Sequence, residues 1–73
     1  MPDDAPIPAD LLDLTRRHQA AMAATREAGE GELVAATRAE AALARELLAW
    51  REEHPEWATV GAQKRVRDAV AGE

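Results

Sequence analysis

The sequence predicts an all-α chain: an antiparallel αα-hairpin over about residues 8–28 and 32–54, a short C-terminal helix, and pairing of two chains into a four-helix bundle. Helix formers run from Glu32 to His54 with no Gly or Pro before Pro55, which makes this the longest helix of the chain. A helical stretch of nearly equal length precedes it across the connection Gly29-Glu30-Gly31. Two equal helices on a short loop fold back antiparallel. The longer helix also carries two apolar stripes side by side: Leu33, Ala36, Leu43, Leu47 and Trp50 on one, and Val34, Thr37, Ala41, Ala44 and Leu48 on the other. One neighbouring helix covers one such stripe, so a further surface has to cover the second.

In chain order, Met1 to Pro6 combines two prolines with two aspartates and is expected to be a mobile tail ahead of the helices. Pro8 suits the first position of a helix, with Asp10 and Asp13 near its positive end and Ile7 placed to fold back on the first turn. Leu11, Leu14, His18, Ala21, Thr25 and Ala28 then recur at spacings of three and four, with Leu12, Thr15 and Met22 on the flank of that stripe. Gly29 is expected to end this helix in a left-handed conformation. A turn centred on Glu30 sets Thr25 opposite Ala36, Ala21 opposite Glu40, His18 opposite Leu43, Leu14 opposite Leu47 and Leu11 opposite Trp50. Small residues thus meet near the loop and large ones at the open end, where the bulk of the core is expected. Pro55 stops the second helix, because it disfavours helical geometry in the residue before it. Trp57 is expected to swing back onto the open end. Thr59 then caps a third helix, Val60 to Val70, whose apolar stripe is Ala62, Val66, Ala69 and Val70. Gly61 weakens its start.

Composition bounds the function. At 73 residues the chain is a single domain near the size where one core is marginal and oligomerisation often completes it. With no Cys, a disulfide framework and a thiolate metal site are excluded, and a reducing cytoplasm is the expected setting. No apolar run approaches the about 20 residues that cross a bilayer, and the acidic N-terminus has no export signal, so no membrane partner is expected. The net charge of −5 argues against general nucleic-acid affinity, which rests on clustered Lys and Arg. Acids outnumber bases six to three in residues 1–31 and five to three in residues 32–54, and equal them at three each in residues 55–73. The sole basic cluster is Lys64, Arg65 and Arg67, expected to be a solvated face.

Catalytic chemistry finds little to work with. There is no Ser, Cys or Tyr, and four Thr sit in helices or at a cap, so nucleophiles are scarce. The inward Glu-x-x-His pairs of di-iron bundles are missing, since Thr15 stands three residues before His18 and Arg51 three before His54. His18 and Glu40 lie close enough across the hairpin for a structural His–carboxylate contact. No enzyme, cofactor or metal is expected. The Trp-x-Gly turn of the small secreted double-helix proteins is also absent, because the turn here is Gly29-Glu30-Gly31 and the tryptophans are at 50 and 57.

What remains is a protein–protein interaction or adaptor module that self-associates. The expected homodimer interface is Val34, Ala41 and Leu48 of the second helix with Leu12 and Met22 of the first. The competing arrangement is a monomeric three-helix bundle in which Val66 and Val70 cover Val34 to Leu48. A surface for a further, unidentified protein partner is sought at Trp50, His54 and Trp57, spaced by four and three, and at Lys64, Arg65 and Arg67. For the two tryptophans, packing onto the hairpin is the favoured role. The second functional class is a small acidic regulator, such as an antitoxin, an inhibitor or a phage-type accessory protein. It would bind a basic protein and reach nucleic acid through Lys64 to Arg67. Salt separates the two classes: apolar docking survives it and acidic mimicry does not.

Overall fold

The computed structural model describes residues 5–73, and all their regular structure is helical. Helix α1 spans Ala9–Glu27, α2 spans Leu33–Glu53, a single 3-10 turn covers Pro55–Trp57, and α3 spans Val60–Ala71. Each helix boundary lies within one residue of the sequence expectation. The mobile tail expected at Met1 to Pro6 falls partly outside the described residues, and Ala5 and Ile7 pack against the core.

Local chemistry sets these limits. Pro8 is the residue before α1 rather than its first member, at φ −57° and ψ 137°, and its carbonyl accepts the first helical bond from Leu12 N at 3.1 Å. Ile7 and Leu12, on either side of that start, both pack against the core, as a hydrophobic staple requires. Pro55 closes α2 and opens the 3-10 turn. Thr59 caps α3 as expected: its Oγ1 accepts from Ala62 N at 3.2 Å. The expectation at Gly29 is overturned. No glycine has positive φ, and α1 ends instead on Ala28 in an extended conformation at ψ 136°. That one extended residue turns the chain, and the Gly29 carbonyl then accepts from both Glu32 N and Leu33 N at 3.0 Å, so α2 nucleates on Gly29 itself.

The helices α1 and α2 form the antiparallel hairpin in the expected register. Trp50 Nε1 donates to Asp10 Oδ2 at 3.3 Å, and Arg17 lies 3.9 Å from Glu46. Both contacts lie on the same side of the hairpin. The buried apolar core is Leu11, Leu47, Trp57, Ala62 and Val66, with Leu12, Leu14 and Trp50 packed around it. All of it sits at the open end. From Arg16 to Glu46, the whole loop half of the hairpin, no residue is buried.

The third helix does not close the bundle along its length. Its backbone runs close to α1 and to the 3-10 turn but not to α2, and it leaves Val34 63% and Leu48 57% exposed. The three-helix arrangement in which Val66 and Val70 cover Val34 to Leu48 is therefore overturned. The physical reason is the turn at Pro55–Trp57, which buries Trp57 over the open end and so launches α3 across α1. The molecule is elongated as a result, 44 × 25 × 19 Å.

Two consequences can be measured by thermal or denaturant unfolding. Leu11→Ala and Leu47→Ala should each cost about 2–4 kcal/mol as truncations in so small a core, and equal stability to wild type would contradict the packing described. Gly61→Ala should stabilise by about 0.5–1 kcal/mol, because the added methyl meets nothing within 4 Å and the backbone is ordinary helix. A destabilised Gly61→Ala variant would mean that α3 starts elsewhere.

Candidate functional site

Three places on the molecule bear on function, and the residues singled out from sequence mark the first two. Trp50, His54 and Trp57 belong to the open end. Trp57 is 5% exposed, so the expectation that it offers a partner surface is corrected: it is core, with the Arg65 guanidinium 5.6 Å from its ring centroid. Trp50 is half-buried and stacks on His54 at 3.9 Å between centroids with planes 16° apart. His54 Nδ1 donates to the Trp50 carbonyl at 2.8 Å, since a carbonyl oxygen only accepts. These contacts weld the end of α2 to α1 through Asp10. The packing role favoured for the tryptophans describes them.

The second place is the outer stripe of α2. Val34 and Leu48 are exposed, and Ala41 and Ala44 between them are half-buried; Leu33 of the inward stripe, beside the loop, is also 46% exposed. At 100° per residue the outer stripe lies on the flank of α2 opposite the Arg17–Glu46 and Trp50–Asp10 contacts. Met22 of α1 is half-buried beside it. Leu12 is different, for it packs against the core and stands at the end of the stripe where α3 crosses.

The third place was not legible from sequence. Thr15, His18, Gln19 and Met22 of α1, Leu47 and Arg51 of α2, and Gln63 and Arg67 of α3 line a cleft of about 280 Å³ where the three helices meet. No acid lines it, in a chain that carries 14 acids against 9 bases. Arg51 Nε is buried with no hydrogen-bond partner among the described residues. Burial first, and then the charge of Arg67, lowers the pKa of the Arg51 guanidinium. His18 faces this cleft, and no hydrogen bond or ion pair joins it to Glu40, which corrects the expected contact across the hairpin. One helical turn separates the two residues across the register, and that gap is not closed.

Beside the cleft, across Arg51 and Gln63, lies a shallower groove of about 450 Å³ bounded by Leu48, Glu52, Pro55 and Ala58. The basic residues of α3 divide between these surroundings. Lys64 pairs with Asp68 at 2.7 Å on the outside, Arg65 covers Trp57, and Arg67 looks into the cleft. Two threonine hydroxyls are engaged in their own helices: Thr15 Oγ1 donates to the Leu11 carbonyl at 2.7 Å and Thr25 Oγ1 to the Ala21 carbonyl at 3.0 Å. No three His, Asp or Glu side chains come together as a metal cluster among the described residues. No helix among them is long and apolar enough to cross a membrane.

The isolated chain holds Arg51 at a cost, because a buried donor without an acceptor loses its water and gains nothing. Arg51→Met keeps the apolar stem and removes both the orphan nitrogen and the repulsion with Arg67. Unfolding should show the variant to be more stable by up to about 1 kcal/mol. A loss of stability would mean that the guanidinium already has its partner in the monomer.

No protein-family model matches the chain, and neither do any curated protein and any solved structure.

Proposed function

We propose that this chain is a small, non-enzymatic helical interaction module that works by self-association, as a homodimer built on the exposed flank of its hairpin. The observation that carries this reading is the uncovered stripe from Val34 to Leu48 on a half-hairpin that buries no residue of its own. An α-hairpin of this kind buries one seam and is stabilised by a second hairpin laid on its open face, which doubles the core into a four-helix bundle. Ala41 and Ala44, at the middle of the stripe, let two helices approach closely, while Val34 and Leu48 supply bulk toward its ends. Met22 contributes from α1. Leu12, packed on the core under α3, contributes at the margin.

The non-enzymatic half of the proposal is supported by the state of the reactive groups. The Thr15 and Thr25 hydroxyls are tied to backbone carbonyls, and among the described residues no carboxylate pairs with His18 to orient it as a general base.

Light scattering on a sizing column at micromolar concentration tests the proposal. The expected mass is two chains, reduced to one by Leu48→Glu or Val34→Glu with helicity retained, because a charge on the stripe leaves the monomer's own core untouched. A wild-type mass of one chain would overturn it.

A further inference from the structure

We infer that the two chains of the homodimer pack antiparallel about Ala41, and that the basic cleft of each receives the acidic loop tip, Glu30 and Glu32, of the other. This rests on the self-association proposed above and adds its geometry. Three independent features point to the same arrangement.

The first is position along the stripe. Ala41 stands midway between Val34 and Leu48, so a two-fold axis through it lays Val34 of one copy on Leu48 of the second and Thr37 on Arg45. Continuing outward, Gly31 of one copy arrives beside Arg51 of the second. Glu30 and Glu32 flank Gly31, and the tip therefore comes to rest at the mouth of the cleft. The span from Val34 to Leu48 is about 21 Å at 1.5 Å per residue, and it begins beside the loop and ends beside the cleft. One set of contacts fills both ends at once.

The second feature is charge. The tip from Glu27 to Glu32 carries three glutamates and no base. The cleft carries Arg51, Arg67 and His18 with no acid in its lining, and neither arginine has a carboxylate within 4.0 Å among the described residues. A glutamate brought in from a second chain meets the guanidinium ends of Arg51 and Arg67 that line the cleft and offsets the repulsion between them. Glu52 lines the neighbouring groove and not the cleft. In the parallel arrangement the two tips meet each other, glutamate on glutamate, and both clefts stay without an acid, so electrostatics selects against it.

The third is steric. The third helix stands on the open half of α1 and makes a shoulder at one end of the stripe. Two copies with shoulders at the same end would hold each other's stripes apart. With shoulders at opposite ends, each loop tip abuts the partner's α3, at Gln63 and Arg67.

Because the chain contains no cysteine, single-cysteine variants read the orientation directly through mild oxidation. Val34→Cys mixed with Leu48→Cys should give the mixed disulfide dimer, whereas neither variant should bridge to itself, since a disulfide needs Cα atoms about 4.4–6.8 Å apart. Thr37→Cys mixed with Arg45→Cys repeats the test where truncating Leu48 loosens the dimer. Self-bridging of Val34→Cys in a dimeric protein would overturn the antiparallel arrangement while leaving self-association standing, and a monomeric wild-type mass would overturn both. For the cleft, Glu30→Lys with Glu32→Lys should raise the dimer dissociation constant about tenfold. Combining these with Arg51→Glu and Arg67→Glu should restore most of the loss. An unchanged dissociation constant in the Glu30→Lys, Glu32→Lys protein would overturn the assignment of the cleft as the tip's socket.

Discussion

Everything in this fold hangs on the burial of Trp57 over Leu11 and Leu47. Those residues come from the 3-10 turn, α1 and α2, and Ala62 and Val66 of α3 complete the same cluster. Each large side chain buried there contributes about 1.5–3 kcal/mol relative to exposure. With so few of them, the open end holds nearly all the tertiary stability the monomer has. Pro55 makes the geometry possible, since it ends α2 one residue before a turn tight enough to bring the indole back onto the helices it has just left. The stack of Trp50 on His54 and its bond to Asp10 close the same end from the other side.

Concentrating the core at one end leaves the other end of the hairpin without one. The loop half is held by small-residue contacts, by helix propensity and by the solvent-exposed pair Arg17–Glu46, and a pair of that exposure contributes at most about 1 kcal/mol. Alanine keeps these helices wound, but it buries little area. Such a half-hairpin opens locally at lower free energy than the end that holds Trp57. A second copy laid on it would add apolar burial where the single chain has least.

The cleft between the three helices carries an electrostatic imbalance. Arginine is always charged, and its guanidinium forms strong paired hydrogen bonds with carboxylates. Placing Arg51 and Arg67 together, with the Nε of one buried and unsatisfied, lowers monomer stability. The loop tip carries the opposite imbalance, three glutamates on a connection whose backbone makes a sharp turn at Ala28. Among the described residues no ion pair joins the two groups, because the hairpin holds them at opposite ends.

Sequence alone determined the helices of this protein and the register of its hairpin. Helix limits are local matters, set by bonds four residues apart, by Pro55 and by the Thr59 cap, and all of these are visible in the string of residues. The hairpin register followed from equal helix lengths and from the grading of small to large side chains away from the loop. The string was misleading at Gly29, where a glycine invited a left-handed cap and an extended Ala28 made the turn instead. It also placed His18 beside Glu40, a contact one helical turn too far. Tertiary structure decided where α3 lies, because that direction depends on how Trp57 seats against Leu11 and Leu47 and on no repeat or spacing in α3 itself. The exposure of Val34 and Leu48 and the meeting of Arg51 with Arg67 follow from that seat. Those two arginines lie on different helices joined through the Pro55 turn, and only the packing of an indole brings their charges together.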